Sequence, residues 1–157
     1  MILKAVYVFR VIILSLEFVV LCLGGMGWYL WLPTFEGLAS KVQLNDEVNK
    51  YLMLLPAALS VWIFNEVRCL LQEDKDILRL LLKWEDYWAL KCHAWVSLFY
   101  SVIFAFLSLV PWISKAGIGT GEGLLLFFVA IIGQLLVAFS VYLARIKIKE
   151  VVVNAGT

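Results

Sequence analysis

The sequence predicts an all-α integral membrane protein: one domain over residues 1–157, with four transmembrane helices and an amphipathic helix on the cytoplasmic side between spans 2 and 3. Three observations predict it. The chain is 64% hydrophobic and only 16% charged, whereas soluble domains carry about 25% charged residues. Its charges leave four long gaps: Val11 to Phe35 broken only by Glu17, Tyr51 to Asn65, Cys92 to Ser114, and Gly123 to Ala144. Between the second and third gaps lies "QEDKDILRLLLKWEDYWALK", too charged to cross a bilayer and too periodic to be a solvated loop.

A hydrocarbon core of about 30 Å takes about 20 helical residues. The first span is therefore expected at about 11–32, stopping at Pro33. It is retained rather than cleaved as a signal peptide, because the apolar run continues through "WYLWLPTF", longer than a signal core. The second gap is short, so its span is expected at 51–72, continuing through Glu66 and Arg68 towards Gln72. Spans 3 and 4 follow at 92–113 and 123–145. Pro56 and Pro111 each fall about one turn inside a span end, a depth at which membrane helices tolerate proline. Trp28, Tyr29, Trp31, Tyr51 and Trp112 crowd the outer boundary, as amphipathic rings do among headgroups.

The segment at about 74–90 gathers Ile77, Leu80, Leu81, Trp84 and Trp88 on one side of a helix, and Arg79, Lys83 and Asp86 on the other. Acidic Glu73, Asp74 and Asp76 open it, where a helix N-terminus favours negative charge. It reads as an interfacial helix lying on the membrane or against a partner.

Orientation follows from the basic residues beside the spans. Ten fall on the side of the N-terminus, the second connection and the tail; three (Lys41, Lys50 and Lys115) fall opposite. Both termini are expected in the cytoplasm, in a plasma membrane or bacterial inner membrane.

Glu17 is the unusual residue. Ionisable groups inside a span are costly and mark functional candidates. Arg10, Glu17, Gly24 and Trp31 recur every seven residues, which puts the acid on one stripe with a glycine that admits another helix. The second span brings Asn65, Glu66 and Arg68 to similar depth, so Arg10, Glu17, Asn65, Glu66 and Arg68 are expected as an intramembrane polar cluster, an ion-pair lock or the floor of a pathway. Ser97, Ser101, Ala105 and Ser108 form a small-residue face on span 3. Ala130, Gln134 and Ala138 form a stripe on span 4. Such faces suit a homo-oligomer or a complex with another membrane protein.

Cys22, Cys69 and Cys92 form no close ligand pair, so neither a metal site nor a cofactor is expected. There is no P-loop, GxGxxG, HExxH or nucleic-acid signature, and no nucleophile and base at recognisable spacing. The expected function is non-enzymatic: a multi-pass component, oligomeric or accessory, that senses or transmits a membrane state to a cytoplasmic partner. The competing expectation is a small proton-coupled transporter or ion-channel subunit with Glu17 in its pathway.

Overall fold

The computed structural model describes residues 2–41, 45–71, 81–82, 84–113 and 117–155. Five helices occupy nearly all of them, and no strand occurs among the described residues. They are α1 (Ile2–Ile13), α2 (Leu16–Ala39), α3 (Asp46–Leu71), α4 (Tyr87–Ile113) and α5 (Gly121–Ala155). The last four are each long and apolar enough to cross a membrane.

Helix α5 is the axis of the bundle, and α2, α3 and α4 pack along it while α3 and α4 also pack on each other. The arrangement follows from which side chains are small. Gly133 lets the Phe104 ring of α4 lie so close to α5 that a Cβ there would stand 2.3 Å from its edge. At Gly24 the contact is gentler: a Cβ would meet Val129 of α5 at 2.8 Å. The main core runs through Ile63, Val67, Tyr100, Phe104, Val137 and Val141. A second, small cluster of Ala39, Ile118 and Leu124 closes one end.

Helix α1 packs on α4 and shares a cavity with the latter half of α5, at the end called proximal here; the Gly121 end is distal. Tyr7 stacks 5.3 Å from Trp88, and Arg145 pairs with Glu66 at 2.7 Å. At the distal end, Gly121 lies against the backbone of Glu36.

Each of the four long helices has a boundary beyond its expected span. The first span is not one helix over 11–32. It breaks at Leu14–Ser15, and α2 then runs through Pro33 to Ala39, where the Ser40 N–H returns to the Glu36 carbonyl at 3.0 Å. Proline forfeits one backbone bond, but the contact of Glu36 with Gly121 and the seating of Ala39 in the distal cluster hold the last turns in place. The third long helix begins at Tyr87, which puts Trp88 in its first turn. Of the expected interfacial helix, Ile77 and Leu80 lie outside the described residues. Leu81 is fully buried, Trp84 half-buried and Trp88 exposed.

Helix α5 is longer than a bilayer requires. Its 35 residues cover about 52 Å at about 1.5 Å per residue, against about 30 Å of hydrocarbon. Its proximal turns continue the core, with Ile148 buried and Val151 and Val152 half-buried against it.

Candidate functional site

The break in the first apolar run builds the site. "VIILSLEFVV" contains neither proline nor glycine, so nothing in its backbone preferences forces an interruption. Ser15 makes the break by acting as an N-cap in extended conformation (φ −72°, ψ 146°), its hydroxyl oxygen accepting the Phe18 N–H at 3.1 Å. The same hydroxyl donates to the Ile12 carbonyl at 3.0 Å. The Tyr100 hydroxyl of α4 donates to that carbonyl as well, at 2.8 Å. An acceptor released from its helix is thus taken up by a side chain whose residue is only 1% exposed.

Glu17 then falls in the first turn of α2, where the aligned peptide dipoles favour a carboxylate. It is 6% exposed, and Ser140 of α5 donates to its Oε1 at 3.2 Å. Among the described residues no ion pair reaches it. Phe18 to Phe35 contains no charged residue and covers about 27 Å, nearly the thickness of a hydrocarbon core. Glu17 and Glu36 bracket this apolar stretch. Helix α1 precedes it, with Lys4 and Arg10 exposed.

Glu17 opens onto a cavity of about 750 Å³ at the proximal end. Tyr7, Arg10 and Val11 of α1 wall one side. His93, Ala94 and Ser97 of α4 form another, and Ser140, Ala144 and Lys147 of α5 a third. Trp84 and Asp86 stand at the rim. Cation and ring pairs gather at this end of the bundle: Lys147 lies 5.5 Å over Trp84, and Lys4 lies 5.4 Å over Trp88. Tyr7 and His93 share a hydrogen bond at 3.4 Å between Oη and Nε2.

Inward of the cavity, a second polar group is sealed in the bundle. Gln134 of α5 is 0% exposed. Its amide donates to the Ser101 carbonyl at 2.7 Å and to the Ser60 hydroxyl, and its Oε1 accepts from Ser101 at 3.1 Å. Ser60 also lies within hydrogen-bonding distance of the Pro56 and Ser101 carbonyls, each at 3.1 Å. Three helices are thereby tied at one level, and the Phe104 ring pressed onto Gly133 lies next along α5 on the distal side.

The expected five-residue cluster is divided. Arg10 and Glu17 share the cavity. Glu66 pairs instead with Arg145 at the bundle margin, while Asn65 and Arg68 are exposed on α3 outside the cavity wall. The reason is that α2 packs along α5 and hardly on α3, so the stripe of Glu17 meets Ser140 rather than span 2. Ser97, Ser101 and Ser108 are buried and Ala105 half-buried on α4, with Ala130 and Gln134 buried and Ala138 half-buried on α5. Ser108 turns back to its own Ala105 carbonyl at 2.8 Å.

Sequence reading overlooked Ser15, Ser60, Tyr100, Ser140 and Arg145. Only Ser15 left a local signal: a serine two residues ahead of an acid is a helix-start pattern, hidden here inside an apolar run. Cys22, Cys69 and Cys92 are free thiols, and no metal-binding group of three His, Cys, Asp or Glu occurs among the described residues. No family model, curated protein or solved structure matches the chain.

Proposed function

We propose that the protein is a non-enzymatic, multi-pass membrane component that senses the state of the cytoplasmic leaflet and transmits it to a cytoplasmic partner. In this reading the proximal end faces the cytoplasm, as the distribution of basic residues favours, and the chain works as an oligomer or as an accessory to another membrane protein. The observation that carries the reading is the joint at Leu14–Ser15. The sequence there is compatible with a continuous helix, and the break depends on a cap and two tertiary hydrogen bonds, from Tyr100 and Ser140. An N-cap contributes about 1 kcal/mol, and membrane hydrogen bonds about 0.6 kcal/mol each. The joint is therefore held by an amount that cavity occupancy can rival. Helix α1, which touches the bundle mainly through α4, then reports occupancy to the cytoplasm, with the proximal turns of α5 as the fixed reference.

Spin labels on Lys4 and Glu150 test this in vesicles. The distance distribution should change with the composition of the labelled leaflet, and Tyr100→Phe with Ser15→Ala should fix it in one form. A distribution that ignores both lipid and mutation would sink the reading.

A transporter remains the second reading, favoured by the polar groups that continue from Ser97 to Ser101, Gln134 and Ser60. It requires Phe104 to leave Gly133. PH-driven flux in proteoliposomes, lost in a normally assembled Glu17→Gln variant, would select it.

A further inference from the structure

The cavity has a chemistry that defines its occupant. Its volume of about 750 Å³ is in the range of sites for organic molecules, and far beyond what a bare ion would fill. Most of the wall is apolar, so simple hydration of the whole space is also a poor match. Two charges of each sign line it: Glu17 and Asp86, Arg10 and Lys147. An anionic amphiphile would satisfy Arg10 and Lys147, but its uncharged portion would lie against Glu17 and strip water from a carboxylate whose one side-chain donor among the described residues is Ser140. A simple cation would satisfy Glu17 and meet Arg10 as a like charge. A ligand carrying an ammonium and an anion a few bonds apart satisfies both.

Position identifies the source. Glu17 marks the proximal boundary of an apolar stretch, and Tyr7, Trp84 and Trp88 stand at the same end as interfacial rings do. Helices α2 and α4 both pack on α5 and hardly on one another. The α2 side chains leading from it, Leu16, Val19 and Leu23, are all exposed and apolar.

We propose that this cavity is a headgroup site for an aminophospholipid of the adjacent leaflet. The primary ammonium of a phosphoethanolamine group donates to Glu17, whose second face Ser140 holds, and the phosphate rests between Arg10 and Lys147. The acyl chains follow α2. A primary ammonium is preferred to a quaternary one because it offers hydrogen bonds to the carboxylate, and charge-assisted bonds are the strong ones. A phosphoserine headgroup is disfavoured by the repulsion its added carboxylate meets at Asp86 and Glu17. The inference rests on the leaflet-sensing reading and names the lipid that the sensor recognises.

The experiment is lipid binding to the purified full chain in detergent, read by native mass spectrometry, with phosphatidylethanolamine, phosphatidylcholine and phosphatidylglycerol of identical chains. The ethanolamine lipid should bind about tenfold more tightly than the other two, the scale of one charged hydrogen bond. Glu17→Gln should erase that preference and Glu17→Asp should keep much of it, whereas Arg10→Ala should weaken all three lipids together. Ser140→Ala provides a milder variant and should reduce the preference without removing it. A phosphatidylglycerol preference that Arg10→Ala abolishes would overturn the proposal in favour of a plain anionic-lipid pocket, and equal binding of all three would reduce the lipid to an annular one. An ethanolamine preference that survives Glu17→Gln would overturn it too. Movement of the α1 label with leaflet composition, combined with no ethanolamine preference, would leave the sensor standing and remove only this ligand.

Discussion

Helices α2 and α5 look alike in sequence and live differently in the fold. Both are long, apolar and almost without an amphipathic face. Yet α5 touches every other span, while α2 is held by α5 and leaves most of its surface outside. In water such a helix would be forced into the core. In a bilayer, lipid is as good a neighbour as leucine, so apolarity ceases to say which helix is central. What separates the two is small and polar detail: Gly133 and Gln134 on α5 are both engaged by neighbouring helices, whereas Gly25 and Gly37 on α2 have open space before them.

The sharpest way to break this comparison is a methyl group on each helix. Gly133→Ala places a Cβ where Phe104 ring carbons already lie at 2.3 Å, and such overpacking costs about 1–3 kcal/mol. Reversible unfolding in mixed micelles should show that loss, and Phe104→Leu should recover part of it. Next in size is Gln134→Leu. It removes the groups that tie α5 to Ser60 and Ser101, at about 0.6 kcal/mol for each membrane hydrogen bond lost. The expected result is a loss of about 1–2 kcal/mol with the four spans still inserted. Unchanged stability would mean that the knot selects a register without stabilising it. On α2 the effects shrink. Gly24→Ala meets only the Val129 side chain at 2.8 Å and should cost less than Gly133→Ala. Gly25→Ala, with nothing within 4 Å, should leave the unfolding midpoint within about 0.5 kcal/mol of the parent. A large loss at Gly25 in the assembled protein, absent from the monomer, would show that another copy covers this face.

The proximal acid illustrates how far local pattern carries. The seven-residue recurrence of Arg10, Glu17 and Gly24 put the glycine on one stripe with the acid, and a Cβ on Gly24 would meet Val129 of α5. It also assumed an unbroken helix, whereas the chain leaves the helix at Leu14–Ser15, just ahead of Glu17. The cap at Ser15 is legible only as a serine before an acid, a weak signal when every neighbour is apolar. The partners of the acid were not legible at all, because Ser140 is 123 residues away along the chain and nothing in α2 encodes which helix it will meet. The same holds for Glu66. Its expected depth in the second span suggested a shared cluster with Glu17, and the actual partner, Arg145, comes from α5.

The sequence by itself determined that the chain is helical and carries four stretches able to cross a membrane, because length and apolarity are properties of each segment alone. It determined the residue types available for close packing, including the serines of α4 and the stripe of α5. Only the tertiary structure decided that α5 is the axis and α2 the periphery, that a run with no helix breaker is broken at Ser15, and that Glu17 faces a cavity with Arg10. The physical reason is that these outcomes depend on differences between nearly equivalent contacts. A lipid-facing surface and a helix-facing surface use the same apolar residues, and a single hydroxyl such as that of Tyr100 settles the backbone only once another helix has brought it within 2.8 Å.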